Sequence, residues 1–247
     1  MNDRWYGIWN SRGGDSAADL SLEKLINLNG FDSGSIAIDA TEWRANARRV
    51  AALLGIQTGE SVFEIGCGSG AFLLALREVS ECEVAGADYS AGLIAAARKV
   101  FPTSRFEVSN ATELDTEVRF DVVISHSMFH YLNLNDAAKV IRRMLSKARR
   151  AVGIFDLPNL QTREAAERMR RGTLPEGEYE KKYQGLNHTY FEKDWLREQV
   201  ESALPRARVE FIASQIDNNP QSPYRFGMIV YHPPTSDVMA VGVNSLG

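Results

Sequence analysis

The stretch SVFEIGCGSG, Ser61 to Gly70, decides the fold. Val62, Phe63 and Ile65 are strand formers in a run too short for a helix, so they read as a buried strand. Gly66, Gly68 and Gly70 then let the backbone turn sharply with no Cβ in the way. AFLLALREV follows from Ala71 with the apolar content of a packed helix, whose free N–H groups point back at the turn. Strand, glycine turn and helix in that order place a nucleotide-like ligand at the carboxyl edge of an α/β sheet.

Outward from this turn the pattern alternates. Strand-like runs at 61–66, 82–87, 104–108, 120–125 and 150–155 are separated by helical stretches near 70–80, 90–101, 135–147 and 192–203. Such alternation predicts right-handed crossovers and a parallel sheet covered on both faces. RVEFIAS and YRFGMIVYH, near the carboxyl end, have too short a connection for a helical crossover and should pair antiparallel. The expected fold is α/β, a doubly wound sheet of seven strands, five parallel plus a C-terminal antiparallel hairpin. Before it, TEWRANARRVAALLGI reads as a helix stopped at Gly55. Residues 1–40, with Trp5, Tyr6, Trp9 and a helical LSLEKLINL, are expected to form an N-terminal lid. The long stretch 157–191 is expected to be a cap over the site with one helix. The 233–247 tail reads as a flexible terminus or a linker.

With 247 residues, 44% hydrophobic and 24% charged, the chain is long enough for one substantial core. A net charge of −4 argues against a broad nucleic-acid or anionic-membrane footprint. No apolar run approaches a membrane span and the first residues carry no apolar leader, so the chain reads as cytoplasmic. Cys67 and Cys82 are too few for a disulfide framework, Cys67 reads as a small filler of the turn, and no Cys/His cluster has metal-ligand spacing.

Two cofactors compete for the turn. Gly66, Gly68 and Ala71 satisfy the dinucleotide fingerprint, with Asp88 at the end of the next strand to hold ribose hydroxyls, which keeps a nicotinamide-dependent oxidoreductase in play. Glu64 tips the balance: a carboxylate just before the first glycine repels a pyrophosphate and suits a sulfonium, which points to S-adenosylmethionine.

On these residues the chain resembles the class I S-adenosylmethionine-dependent methyltransferases over about 41–232. EIGCGSG is similar to their glycine motif, GADYS to the acidic end of their second strand, SNATEL to the segment after their third, and FDVVISHSMFHYL to their fourth strand and following loop. The resemblance implies a Rossmann-like fold and cofactor contacts from Glu64, Gly66, Cys67, Gly68 and Gly70. It implies that Asp88 holds the ribose, Tyr89 lies on the adenine face, Asn110, Ala111 and Thr112 occupy the adenine edge, and Ser125 and His126 close the methionine side. The acidic residue often found at that edge is absent here.

Methyl transfer to oxygen needs in-line approach, exclusion of water and a base. Of four histidines, His130 and His232 read as structural. His188, in GLNHTYF within the cap, ranks first as base, with Asp217 to orient it; His126 ranks second, paired across the sheet edge with Asp156. The arginine pairs 142/143, 149/150 and 170/171 could meet a phosphate or an acidic carrier protein but read mostly as solvated faces, with 170/171, in the cap, the first to test against a carrier-tethered acceptor. The expected activity is methylation of a small or carrier-tethered metabolite at a hydroxyl oxygen without metal, as in an assembly line for polyketides or peptides, with N- or C-methylation as the alternative.

Overall fold

The computed structural model describes residues 3–12, 20–31, 38–214, 216–217 and 219–234; the expected tail lies almost wholly outside them, as do parts of the expected lid. A seven-stranded sheet carries the fold, in the order β3-β2-β1-β4-β5-β7-β6. Its strands are β1 (Ser61–Ile65), β2 (Glu83–Asp88), β3 (Phe106–Val108), β4 (Phe120–His126), β5 (Ala148–Pro158), β6 (Arg208–Ala213) and β7 (Arg225–Tyr231). The first five are parallel, and β7 enters between β5 and β6 antiparallel to both. This is the seven-stranded arrangement expected from the sequence.

The helices are α1 (Asp3–Asn10), α2 (Leu22–Leu28), α3 (Ala40–Leu54), α4 (Ala71–Ser80), α5 (Ala91–Val100), α6 (Leu134–Lys147), α7 (Arg163–Arg171), α8 (Glu178–Tyr183) and α9 (Lys193–Ala203). Strand pleating sends alternate side chains into two separate cores. Val62, Val122, Ile124 and Phe155 meet α2, α3, α4 and α5, whereas Phe63, Ile65, Val123, Val152 and Ile154 meet α6 and α9. Helix starts follow local chemistry: the Asp39 side chain accepts from the Glu42 N–H at 2.8 Å, and that of Asn133 from the Asp136 N–H at 2.9 Å. Gly55, at φ 58°, stops α3 in the left-handed conformation.

The cap departs from expectation in two ways. β5 extends to Pro158, so the cap begins later, and it holds two helices, α7 and α8, where one was expected. Short α8 has no apolar periodicity to announce it; Tyr179 and Tyr183, a turn apart, form its packed face with ring centroids 4.7 Å apart. Lys147, at the end of α6, is fully buried. Its ammonium donates to the Asp115 and Val118 carbonyls and lies over the rings of Phe63 and Phe120, which is how a buried cation is tolerated without an acid. No helix among the described residues is long and apolar enough to cross a membrane.

Candidate functional site

The glycine turn is fastened to the end of β2. Gly66 and Cys67 both donate their N–H to the Ala87 carbonyl, at 2.8 and 3.1 Å, and the Gly68 N–H donates to Asp88 Oδ2 at 3.0 Å. Gly66 and Gly68 adopt φ of 73° and 53°, which side chains rarely tolerate. A Cβ on Gly66 would stand 2.6 Å from Met128 Cγ, and one on Gly68 would land on the Asn29 side-chain amide. Asn29 follows α2 and accepts the Ser69 N–H through Oδ1 at 2.8 Å, so the N-terminal segment closes over the turn.

A cavity of about 340 Å³ starts at this turn and ends under the cap. Gly66, Gly68, Asp88 and Tyr89 line it from the glycine turn and β2, and His130, Tyr131, Arg170, Tyr183 and His188 line it from the segment after β4 and from the cap. Helix α1 lies along both. Its Trp5 carbonyl accepts from the Tyr89 hydroxyl at 3.5 Å, its Trp9 carbonyl from the Ser90 hydroxyl at 3.1 Å, and the Trp5 indole N–H donates to the Asn187 carbonyl at 3.3 Å. Tyr6 stacks on Tyr89 with centroids 5.1 Å apart.

Asp88 is buried, and its carboxylate already accepts the Gly68 and Ser90 N–H groups. Burial raises its pKa, against the pull of those N–H bonds. Glu64 does not reach the cavity wall. It is 2% exposed, its Oε2 has no partner, and burial followed by the Asp88 charge pushes its pKa well up. The acid facing a ligand is therefore Asp88, and the Glu64 charge is not the selecting feature expected from the sequence. Cys67 is buried with its sulfur where a Gly86 side chain would be, and burial raises its pKa.

The predicted adenine edge is not brought to the cavity. Asn110 is exposed and its Oδ1 accepts from Thr112 N and Oγ1, both at 3.1 Å, in a self-contained turn with Ala111. Ser125 is fully buried with its hydroxyl unpartnered and lies outside the cavity lining. Its neighbour Ser127, in the left-handed conformation at φ 56°, lines the cavity instead.

His126 does line the cavity, but its pairing with Asp156 is indirect. Ser127 has one hydroxyl proton and gives it to Asp156 Oδ2 at 2.7 Å. The 3.0 Å contact between Ser127 Oγ and His126 Nδ1 is therefore a bond donated by the ring, which leaves Nε2 to accept from Asn46 Nδ2 at 3.0 Å. Both nitrogens are taken. The ring also stacks on Phe72 at 4.8 Å, and burial lowers its pKa to about 4, so this histidine is a neutral, fully bonded part of the wall. The same Oδ2 of Asp156 is held by Arg225 at 3.2 Å, a pair only 9% and 7% exposed.

His188 is the contrasting case. It is enclosed in the cavity wall, stacked on Trp5 at 5.3 Å and edge-on to His130 at 4.7 Å, and neither ring nitrogen has a protein partner. Burial, then the Arg170 and Arg225 charges, drive its pKa well below 6.5. Asp217 does not orient it. That carboxylate is 70% exposed and paired with Arg49, because α3 presents a guanidinium to its loop. His130, expected to be structural, also faces the cavity, with Nδ1 accepting from Arg225 at 3.4 Å. The sequence carries no sign of Arg225, since its importance comes from β7 being placed beside Asp156. Tyr131 and Met128 were likewise invisible as wall residues; Arg170 stood out only with Arg171 as a charged pair in the cap, and Trp5 and Trp9 only as aromatics in a polar stretch.

Comparison with known proteins agrees with this geometry. A family model described as a methyltransferase domain matches residues 62–150. The magnesium protoporphyrin IX methyltransferase of Synechocystis PCC 6803, solved with bound SAH, is 15% identical, with 94% of this chain and 95% of that chain covered and a TM-score of 0.57. The plantazolicin methyltransferase BpumL, in complex with SAH, is 16% identical over 78% of this chain and 84% of that one, at 0.59. Streptomyces venezuelae DesVI is 13% identical over 87% and 100%, at 0.58. At such identities the likeness is one of fold. The model described as a methyltransferase domain thus covers the stretch from β1 to the start of β5, and the sheet order with these likenesses gives the chain the fold of class I, S-adenosylmethionine-dependent methyltransferases.

Proposed function

We propose that the chain transfers a methyl group from S-adenosylmethionine to a hydroxyl oxygen of a small or carrier-tethered metabolite, with His188 as general base. The observation that carries this reading is the enclosed His188 ring with two unpartnered nitrogens, in the same cavity as the glycine turn and Asp88. A buried polar group without a partner costs about 1–3 kcal/mol, which a substrate hydroxyl donating to the ring offsets. Bound S-adenosylmethionine supplies an electrophilic sulfonium methyl. The chain's own residues do the rest: Gly66 and Gly68 leave room for close approach, α1 and the cap exclude water, and neutral His188 takes the hydroxyl proton.

Asp88 is assigned to the ribose hydroxyls and Tyr89 to the adenine. Asp88→Ala is expected to weaken SAH binding by about 1.5–3 kcal/mol, about 10- to 150-fold, in a calorimetric titration. Unchanged affinity removes the assignment. Arg12, which donates to the Asn27 and Leu28 carbonyls beside the glycine turn, is assigned to the methionine carboxylate.

The base is tested by pH. Only the neutral imidazole accepts a proton, and the surroundings of His188 move its pKa downward from 6.5. As pH falls, kcat/KM should therefore stay level through the ordinary histidine range and decline only below it. In His188→Gln that decline should disappear. A decline centred at or above 6.5, or one that persists in the variant, excludes His188 as the titrating base.

A further inference from the structure

The arginines of α7 are not equivalent. Arg163 pairs with Glu167 at 3.0 Å, Arg168 with Glu164 at 3.9 Å and Arg171 with Glu180 at 3.2 Å, all on the outside of the cap. Arg170 has no acidic side chain within ion-pair distance among the described residues, and it lines the cavity. Its guanidinium lies over the rings of Tyr179, at 5.5 Å, and Tyr183, at 5.2 Å, which hold a flexible side chain in one place.

The charges around the cavity make this cation conspicuous. Asp88 and Asp156 are the two acids in its lining among the described residues. Asp88 belongs to the glycine-turn end, through Gly68, and Asp156 is neutralised by Arg225. Arg12 stands beside Gly30, donating to the Asn27 and Leu28 carbonyls, and its charge also reaches Tyr131. His130 and His188 are both held neutral by burial. Among the described residues the cap side thus keeps in Arg170 a positive charge with no acidic partner, facing a space walled by Trp5, Tyr131, Tyr183 and the His188 ring. A fixed guanidinium in a partly dry pocket attracts a planar oxyanion, for which its forked N–H groups are shaped.

We infer that the methyl acceptor is a free hydroxylated aromatic acid, with its carboxylate on Arg170 and its ring among the cap-end aromatics. This rests on the methyl-transfer reading and makes Arg170 the residue that selects the acceptor. It also favours the untethered form, because a carrier thioester would have consumed the carboxylate.

The test is binding to the SAH-loaded protein, read by calorimetry, for hydroxybenzoates and hydroxycinnamates each beside its own amide. The acids should bind at least about tenfold more tightly than the amides. Arg170→Gln should abolish that preference and leave SAH affinity unchanged, while Arg171→Gln, on the outer face, should keep it. A merely structural Arg170 would not move an acid-against-amide ratio. The inference is overturned if amides bind as well as acids, if Arg170→Gln keeps the preference, if that variant weakens SAH instead, or if SAH binds and no acid does. Failure of the methyl-transfer reading shows separately, as a wild-type protein that does not bind SAH at all.

Discussion

His188→Ala is expected to lower kcat by about 10²- to 10⁴-fold, the contribution of a positioned general base, with SAH affinity retained. Two structural facts make this the most sensitive position in the cavity. The ring is enclosed and neutral, and no protein group competes for either nitrogen. Loss of the ring also removes the stacking partner of Trp5 at 5.3 Å, so alanine alone would mix proton chemistry with packing. His188→Phe separates them: it keeps an aromatic face for Trp5 and should be as slow as alanine. Imidazole added to His188→Ala should restore part of the rate, because the deleted ring leaves space of its own shape. Full turnover in the phenylalanine variant would assign the proton elsewhere. His126→Gln is expected to behave differently, with the larger effect on stability, since both nitrogens of that ring are already committed to Asn46 and Ser127.

Arg225→Met should cost about 3–5 kcal/mol of folding stability, measured by chemical denaturation, because it strands a buried carboxylate. Asp156 has little water to turn to, and its Oδ1 is unpartnered even with the arginine present. Arg225 additionally donates to the Asp156 carbonyl at 3.0 Å and to Gln221 Oε1 at 2.6 Å, so one substitution removes a whole cluster of bonds. Asp156→Asn combined with Arg225→Met should recover much of the loss, since no net charge is then left inside. Asparagine is the suitable replacement because residue 156 sits at φ 65°, a conformation asparagine tolerates better than most. A loss below about 1 kcal/mol in Arg225→Met would mean that the carboxylate finds water or protonates at little cost.

The fold was legible because its signals are local. EIGCGSG announces a strand, a turn and a helix within a few residues, and the missing crossover between 214 and 224 announces an antiparallel pair. His188 was legible as a histidine among aromatics in an overlong connection. The failures share a cause, which is that side-chain direction depends on distant packing. Asn110 and Thr112 bond to each other outside the cavity lining, Asp217 is drawn to Arg49 on a helix far away in sequence, and Glu64 is sealed beneath the turn it was expected to front. Ser127 and Asp156 owe their places to left-handed backbone, which nothing in a serine or an aspartate foretells.

The bulge of β5 at Asp156 also bears on how the molecule assembles. The register with β7 shifts between Ile154 and Leu157, and the charge of the carboxylate placed there is balanced by an arginine on the opposing strand. The cavity wall depends on a strand that contributes a single guanidinium to it, and the hydrogen-exchange protection of β5 beyond Ile154 is expected to appear only together with that of β7.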